Sequence, residues 1–289
     1  MAAPIRISWH EPLPAPAKLN LFLHVTGRRG DGYHILQTVF RFIDLNDELR
    51  FHPRSDGVIR MDSPLPGLAD ADNLIIRAAE LLRARAGGQR AAAGVTIELH
   101  KRIPIGGGLG GGSSDAATTL IALDHLWGLG LSRADLAGLG VALGADVPVF
   151  VHGFNAFGEG IGEQLTPVAL GPAWYLVLVP QVPISTREIF ADPTLTRNTQ
   201  AIKIAAFFAG QQTGNDLEPV VRRRYPVVAE HLDWLSRYAP ARLTGSGACV
   251  FAEFSSEDEA QSILRRRPPA MQGFVARGLD GHPLEPAKI

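Results

Sequence analysis

The chain has 289 residues, of which 46% are hydrophobic and 20% charged, with a formal net charge of −1 at pH 7. Its length suits one large domain or two smaller ones, and its composition excludes a disordered chain. The near-zero charge gives no electrostatic reason for binding nucleic acid or an anionic membrane, and no apolar run approaches the ~20 residues of a membrane span.

The N-terminal segment MAAPIRISWHEPLP lacks the apolar core of a signal peptide, so we expect a cytoplasmic protein. The first predicted strand covers 17–26, where leucines and a valine alternate with a second set of residues that begins with Lys18 and Asn20. A lysine at the start of a strand is usually a solvated surface group, so the spacing alone gives Lys18 no functional role.

The turn cluster GRRGDGY delivers Tyr33 and His34 side by side. Such a pair suits either stacking on a nucleobase or half-buried packing, and the pattern leaves both readings open. Further strands are predicted over 37–45 and 48–51, separated by a turn at 46–47.

Asp72 is the predicted N-cap of a helix that stops at 87–88, and a strand that begins at 95 and ends at Lys101 comes next. The stretch PIGGGLGGGSS at 104–114 follows this strand and precedes a segment with helical apolar spacing. A glycine loop that leads into a helix gathers unpaired N–H groups and the positive end of the helix dipole, an arrangement that holds phosphate. Its two serines could cap the helix or contact phosphate and metal.

A second helix is predicted from the capping-box pattern at 132–135. Asp146 lies where this helix gives way to the sequence VFV, which we interpret as a strand. Pro148 and Gly144 flank Asp146, so a turn residue and a functional carboxylate are about equally supported by the spacing.

The second half begins with a predicted linker at 168–173 and continues as strand, helix, helix, strand, helix, strand. This order predicts an α+β sandwich, with helices on one face of an antiparallel sheet. A second glycine loop at 245–247 opens a strand that contains Cys249, the single cysteine, which we interpret as a small buried apolar residue.

Three glycine-rich templates do not fit the loop. The Walker pattern fails because Gly112 stands where lysine is required. The Rossmann pattern is met by Gly106, Gly108 and Gly111, but a second capped helix follows where a strand is required. Protein kinases carry HRD and DFG sequences, which are absent from the chain.

Four segments, PAKLNLFLHVTGRRGDGYH, IPIGGGLGGGSSDAA, LGADVPVF and LTGSGACVF, resemble the GHMP kinase superfamily in sequence and order, over 16–254. They are most similar to the branch that phosphorylates the 2-hydroxyl of a cytidine-diphosphate-linked methylerythritol, with ATP and Mg²⁺, in non-mevalonate isoprenoid biosynthesis. The resemblance implies a two-domain α+β kinase: a ribosomal-protein-S5-like domain at 1–168 and a ferredoxin-like α/β sandwich at 169–289. It also implies ATP and the cytidine-containing small molecule as partners, with neither nucleic acid nor membrane, and is compatible with a weak homodimer.

The resemblance assigns roles to individual residues. Asp146 would accept the hydroxyl proton, and Lys18 would keep Asp146 ionised and steady the transferred phosphoryl group. Asn20 would bind the methylerythritol end, Tyr33 and Phe190 would sandwich the cytosine, and His34 would read its polar edge. The residues expected to hold ATP are Pro104, Ile105, Gly106, Gly107, Gly108, Leu109, Gly110, Gly111, Gly112, Ser113, Ser114, Asn73 and Lys101.

Within that set, Asn73 and Lys101 correspond to the adenosine end, and Ser114 is the candidate metal ligand. Asp115 is expected to be an ordinary solvated position on the loop helix. The alternatives are a homoserine or mevalonate kinase of the same superfamily, a nucleotide-binding module without catalysis, and a Rossmann dehydrogenase.

Overall fold

The computed structural model describes residues 6–62, 69–86, 93–211 and 213–284. In these ranges two sheets are packed with helices, which confirms the predicted α+β class. The strands are β1 (Leu13–Arg28), β2 (His34–Arg54), β3 (Ile59–Met61), β4 (Gly94–His100), β5 (Ala156–Glu159), β6 (Gln164–Pro167), β7 (Trp174–Leu178), β8 (Arg242–Leu243), β9 (Val250–Phe254) and β10 (Gly273–Arg277). The α-helices are α1 (Leu74–Arg85), α2 (Gly111–Trp127), α3 (Arg133–Val141), α4 (Val147–His152), α5 (Thr186–Ala191), α6 (Ile204–Phe208), α7 (Glu218–Arg224), α8 (Pro226–Leu235) and α9 (Glu257–Arg265).

The first sheet has the order β3-β4-β2-β5-β6, and β1 pairs with β2 along the long hairpin that the two strands form. Although its sequence alternates, β1 is buried on both faces between Ala15 and Val25. Its early residues pack with α1 and α2, whereas Leu23 and Val25 pack with helices and strands of the second half of the chain. Lys18 and Asn20 are therefore carried into the interior between the two sheets.

The turn predicted at 46–47 is wrong, because β2 continues through these residues. The pairing with β1 shifts there, so that Asp44 and Leu45 form a bulge in an unbroken strand. Asp47 is fully buried, and its carboxylate accepts hydrogen bonds from the N–H groups of Arg102 and Ile103. Of the two polar residues that suggested a turn, Asp47 therefore serves a contact distant in sequence, whereas the side chain of Asn46 donates to the carbonyl of Asp44.

Helix ends differ from two of the predictions. Asn73, not Asp72, is the N-cap of α1, since its side chain accepts from the N–H of Ile75; the stop predicted at 87–88 lies outside the described residues. The N-cap of α2 is Gly110, so Ser113 and Ser114 lie inside the first turn and do not cap it. The capping box at the start of α3 is confirmed, with Ser132 as N-cap.

The strand predicted for VFV is wrong: 147–152 form the short helix α4. A brief apolar run is ambiguous between a buried strand and a buried helix, and Pro148 in the first turn favours the helix. Asp146 is the N-cap residue, but its carboxylate makes no capping hydrogen bond. The side chain is thereby left available to the space in front of the helix.

The second sheet is antiparallel, in the order β10-β7-β9-β8, and packs with α7, α8 and α9. The last described residues return to the first sheet. The N–H of Leu279 donates to the carbonyl of Phe42, and Leu284 packs in the first core, which is the hydrophobic cluster that the first sheet forms with α1–α4. Arg41 is fully buried between the two sheets, and its guanidinium donates to the carbonyls of Leu170 and Gly171. The boundary placed at 168 stays a prediction.

Among the described residues, no helix is both long enough and apolar enough to cross a membrane.

Candidate active site

A cleft of about 1330 Å³ opens between the glycine loop and the residues that follow β1. Every site residue expected from the sequence lines it, except Ser114. The structure therefore brings together residues from 18 to 190 that the sequence separates widely. We call the part at the glycine loop the donor end, and the part at Tyr33, His34 and Phe190 the acceptor end.

The glycine loop has backbone angles that residues other than glycine rarely adopt. Gly106, Gly108 and Gly110 have φ of 71°, 75° and 73°. Alternating left-handed residues turn successive peptide groups, which is how glycine segments present N–H groups to an anion. The loop leads directly into α2, whose N-terminal dipole points to the same place.

Two glycine segments are packed against each other at the donor end. The N–H groups of Ala248 and Cys249 donate to the carbonyls of Gly106 and Gly107. A Cβ on Gly108 would lie 2.2 Å from the carbonyl oxygen of Thr244, so no larger residue fits. The glycine at this position is required by close approach as well as by its backbone angle.

Lys18 and Asp146 form an ion pair at the centre of the cleft. The Nζ of Lys18 lies 3.2 Å from the Oδ2 of Asp146. It also donates to the Oδ1 of Asn20 at 2.5 Å and to the carbonyl of Gly108 at 3.0 Å. Lys18 is 3% exposed and Asp146 33%, so the ammonium is fixed by the protein while the carboxylate faces the cleft.

Asn20 is held on both sides of its amide. Its Oδ1 accepts from Lys18, and its Nδ2 donates to the hydroxyl of Thr38 at 2.9 Å. Thr38 donates in turn to the carbonyl of Phe22, and the N–H of Asn20 donates to the hydroxyl of Thr244. This chain of hydrogen bonds fixes the orientation of Asn20 and, through it, of Lys18.

At the acceptor end, His34 and Phe190 lie against each other with ring centroids 4.9 Å apart and a tilt of 33°. Arg197 holds both: its Nε donates to the Nε2 of His34 at 3.1 Å, and its Nη2 donates to the carbonyl of Phe190 at 2.9 Å. His34 therefore occupies the face of Phe190 in this structure. Tyr33 is 61% exposed and closes no sandwich with Phe190 here.

The pKa of His34 is lowered, first by burial and then by the positive charges of Arg197 and Arg28. The neutral ring suits its contact, because Nε2 must accept the hydrogen bond from Arg197. The proton is then on Nδ1, which leaves one N–H donor available to a ligand.

Lys101 and Asp115 belong to a buried cluster. The Nζ of Lys101 bridges Asp47 and Asp115 at 2.5 and 2.8 Å. The expectation that Asp115 is solvated is wrong, because it is 2% exposed. Helix α2 is buried along most of its first three turns, so Asp115 faces the end of β4 instead of water.

The serine pair divides between two environments. Ser113 lines the cleft, whereas Ser114 is fully buried and its Oγ has no hydrogen-bond partner among the described residues. Within the ranges that the structure describes, no group of three or more His, Cys, Asp or Glu side chains is placed to hold a metal ion.

Three residues of the site, Arg197, Thr244 and Asp47, were not predicted from the sequence. Arg197 and Asp47 act by orienting other side chains or backbone across long sequence distances, and no local pattern marks them. Thr244 stands next to the glycine segment at 245–247, and this proximity was the available signal.

Comparison with known proteins gives consistent results along the chain. Family models described as "GHMP kinases N terminal domain" and "GHMP kinases C terminal" match residues 73–154 and 194–270. The chain is 58% identical over 274 residues to 4-diphosphocytidyl-2-C-methyl-D-erythritol kinase of Thiobacillus denitrificans, covering 95% of this chain and 97% of the relative. The enzyme of the same name from Nitrosospira multiformis is 59% identical, with 94% and 92% covered.

Solved structures agree with the relatives. A crystal structure of 4-(cytidine 5'-diphospho)-2C-methyl-D-erythritol kinase superposes with a TM-score of 0.79 at 33% identity, covering 93% of this chain and 99% of the other. A mevalonate kinase superposes with a TM-score of 0.67 at 16% identity, covering 93% of this chain and 99% of the other. At 16% identity, the similarity to the mevalonate kinase shows a common fold only.

Proposed function

The chain belongs to the GHMP kinases, in the branch of the 4-diphosphocytidyl-2-C-methyl-D-erythritol kinases, and from that premise we propose which residues carry out its reaction. It is an ATP-dependent kinase of non-mevalonate isoprenoid biosynthesis. Its acceptor is 4-diphosphocytidyl-2-C-methyl-D-erythritol, whose 2-hydroxyl becomes the 2-phosphate as ATP becomes ADP.

The ion pair of Lys18 and Asp146 is the observation that carries the proposal. It lies where the glycine loop meets the acceptor end, and the only described partner of the Asp146 carboxylate is Lys18. A binding module has no need of a half-exposed carboxylate held beside a buried ammonium. A kinase needs both, one for the hydroxyl proton and one for the phosphoryl charge.

In the proposed step, Asp146 accepts the proton of the 2-hydroxyl as its oxygen bonds to the γ-phosphorus. The bond between the γ-phosphorus and the bridging oxygen breaks, and its electron pair leaves with ADP. Lys18 stays in place through the contacts with Asn20 and Gly108, so its charge meets the transferred group without reorganisation.

The donor phosphates are assigned to the N–H groups of the glycine loop and of the first turn of α2. Mg²⁺ is commonly held by one or two protein oxygens together with substrate phosphates. Ser113 fits that pattern better than Ser114, because its hydroxyl lines the cleft and that of Ser114 is enclosed. When bound, the ion would neutralise charge on the transferred group.

The cytosine is assigned to the acceptor end. Tyr33 is exposed and available for stacking, and Nδ1–H of His34 can donate to the N3 or O2 acceptor of cytosine. A base held between Tyr33 and Phe190 requires His34 to leave the face of Phe190, so this contact must open on binding.

Two arginines at the acceptor end suit the diphosphate of the acceptor. Arg28 and Arg187 are exposed and line the cleft. Among the described residues, carboxylates pair with the other cleft cations, Lys18 and Lys101, and none pairs with these two. A dianionic linker between cytidine and methylerythritol would be neutralised there.

We place the reaction in the cytoplasm, where ATP is abundant and where the buried, unpaired thiol of Cys249 is stable. A weak homodimer also belongs to this proposal; sedimentation analysis over a range of concentrations tests it.

A coupled assay of ADP release tests the function. We expect turnover with 4-diphosphocytidyl-2-C-methyl-D-erythritol and none with homoserine or mevalonate. Turnover with either of the latter, and none with the cytidyl compound, would overturn the assignment of the acceptor.

A further inference from the structure

The cluster of Asp47, Lys101 and Asp115 joins three elements beneath the donor end. Asp47 lies in β2, Lys101 follows the last residue of β4, and Asp115 lies in the first turns of α2. Both carboxylates are buried, at 0% and 2% exposure, and both accept a hydrogen bond from the same ammonium. The three side chains therefore form one buried unit with two acids and one base.

This unit holds both ends of the glycine loop. The second oxygen of Asp47 accepts from the N–H groups of Arg102 and Ile103 at 2.6 and 2.8 Å, which fixes the chain just before the loop. Asp115 fixes the chain just after it, because α2 starts at Gly111. A single ammonium thus ties the start of the loop to its end.

The packing above Lys101 is equally close. A Cβ on Gly111 would lie 2.9 Å from the Nζ of Lys101 and 3.1 Å from a side-chain carbon of Ile103. Lys101, Gly111 and Asp115 also line the cleft. The cluster is therefore in contact with the floor of the donor end, not remote from it.

Asp115 depends on Lys101 for its side-chain contact. The Oδ1 of Asp115 is buried and has no hydrogen-bond partner among the described residues. Its Oδ2 accepts from the Nζ of Lys101 at 2.8 Å. Release of Lys101 would therefore leave a buried carboxylate unpaired, which is costly, so the three side chains hold one another in place.

We propose that Asp47 and Asp115 are positioning residues for the phosphoryl donor: through Lys101 they set the shape of the glycine loop. The inference rests on the proposed function, since it takes the glycine loop as the site of the triphosphate. Neither the glycines nor Lys101 alone would hold the loop at both of its ends.

The test compares the native enzyme with Asp115→Asn and Asp47→Asn. Titration calorimetry at one fixed pH measures binding of a non-hydrolysable ATP analogue, and kcat and the KM for ATP and for the acceptor are measured alongside. Since binding needs no acceptor, the outcome is independent of which alcohol the enzyme phosphorylates. Asp258→Asn, at an exposed position on α9 far from the cleft, is the matched control.

We expect the Kd for the analogue and the KM for ATP to rise about tenfold in both variants, because each loses a charged hydrogen bond that fixes one end of the loop. The KM for the acceptor should stay unchanged, a difference that a general loss of stability would not produce. An unchanged Kd in both Asp47→Asn and Asp115→Asn, or an equal rise in Asp258→Asn, would overturn the proposal. If Asp47→Asn fails to fold, Asp115→Asn decides the matter.

Discussion

The donor end of the cleft is formed largely by backbone groups, whereas the acceptor end is formed by side chains. At the donor end, backbone packs on backbone, charges are buried, and Gly108 leaves no room even for a methyl group. At the acceptor end, exposed or half-buried side chains project into the cleft, and Tyr33 makes no ring contact among the described residues. Phosphate needs N–H groups and a dipole, which backbone provides, whereas a base and a diphosphate need particular side chains.

Asp146 stands between the two ends, and its replacement should separate binding from chemistry. Asp146→Asn removes the proton acceptor while keeping the shape, so kcat should fall by about 10²–10⁴-fold. Dissociation constants for ATP analogue and for acceptor should change little, and calorimetry measures both. Retention of kcat would remove Asp146 as the base.

Gly108→Ala should damage the donor end alone. The new methyl group would overlap the carbonyl of Thr244, and the left-handed angle adds about 1–2 kcal/mol of strain. We expect the KM for ATP to rise about tenfold or more and the melting temperature to fall.

Gly106→Ala is the matched control, because Gly106 has a similar angle but no atom within 4 Å of its added Cβ. It should show the strain without the overlap, and so a smaller change in both quantities. Equal effects at the two positions would contradict the importance of the close approach.

Tyr33→Ala should damage the acceptor end alone. Loss of one stacking partner of a base costs about 1–3 kcal/mol, so the KM for the cytidyl substrate should rise while the KM for ATP stays constant. Steady-state kinetics with each substrate varied in turn measures this. Tyr238→Ala, another exposed tyrosine lying outside the cleft, serves as the control. A matching rise in the KM for ATP would mean that the two ends are not independent.

The smallest expected effect is a pH dependence of substrate binding at the acceptor end. The pKa of His34 is lowered by burial, Arg197 and Arg28, so the folded protein favours the neutral ring. As pH falls below the unfolded value of about 6.5, the unfolded chain binds the proton first, and this contribution to stability is lost. Protonation also breaks the contact with Arg197.

We therefore expect the KM for the cytidyl substrate to rise about two- to tenfold as pH falls from 7 towards 5. His34→Gln should flatten that profile, whereas His125→Gln, at an exposed position on α2, should not. A profile that persists unchanged in His34→Gln would assign the titration to another group.

The donor end was largely predictable from the sequence, because a glycine loop, a strand before it and a helix after it are local patterns. The roles of Lys18 and Asp146 came from resemblance to a family, and the structure places the two side chains 3.2 Å apart. The acceptor end was less predictable, since the contact between His34 and Phe190 depends on Arg197, which no motif marks.

The errors have a common physical cause. Asp47 and Asp115 are polar residues whose local patterns suggest a turn and a solvated helix face. Both are instead buried and pair with Lys101, a contact that neither local pattern reveals. Similarly, the apolar run after Asp146 is compatible with either a strand or a helix until its packing is known.

Arg41 has a consequence for the order in which the chain becomes structured. It contacts the carbonyls of Leu170 and Gly171, and a Cβ on Gly278 would lie 2.3 Å from its guanidinium. The chain runs between the two sheets near 170 and again near 278, and both segments pack against Arg41. Leu284, a few residues after the second segment, packs in the first core. During synthesis on the ribosome, we therefore expect the first core to be completed only after residues 278–284 have emerged and packed against it.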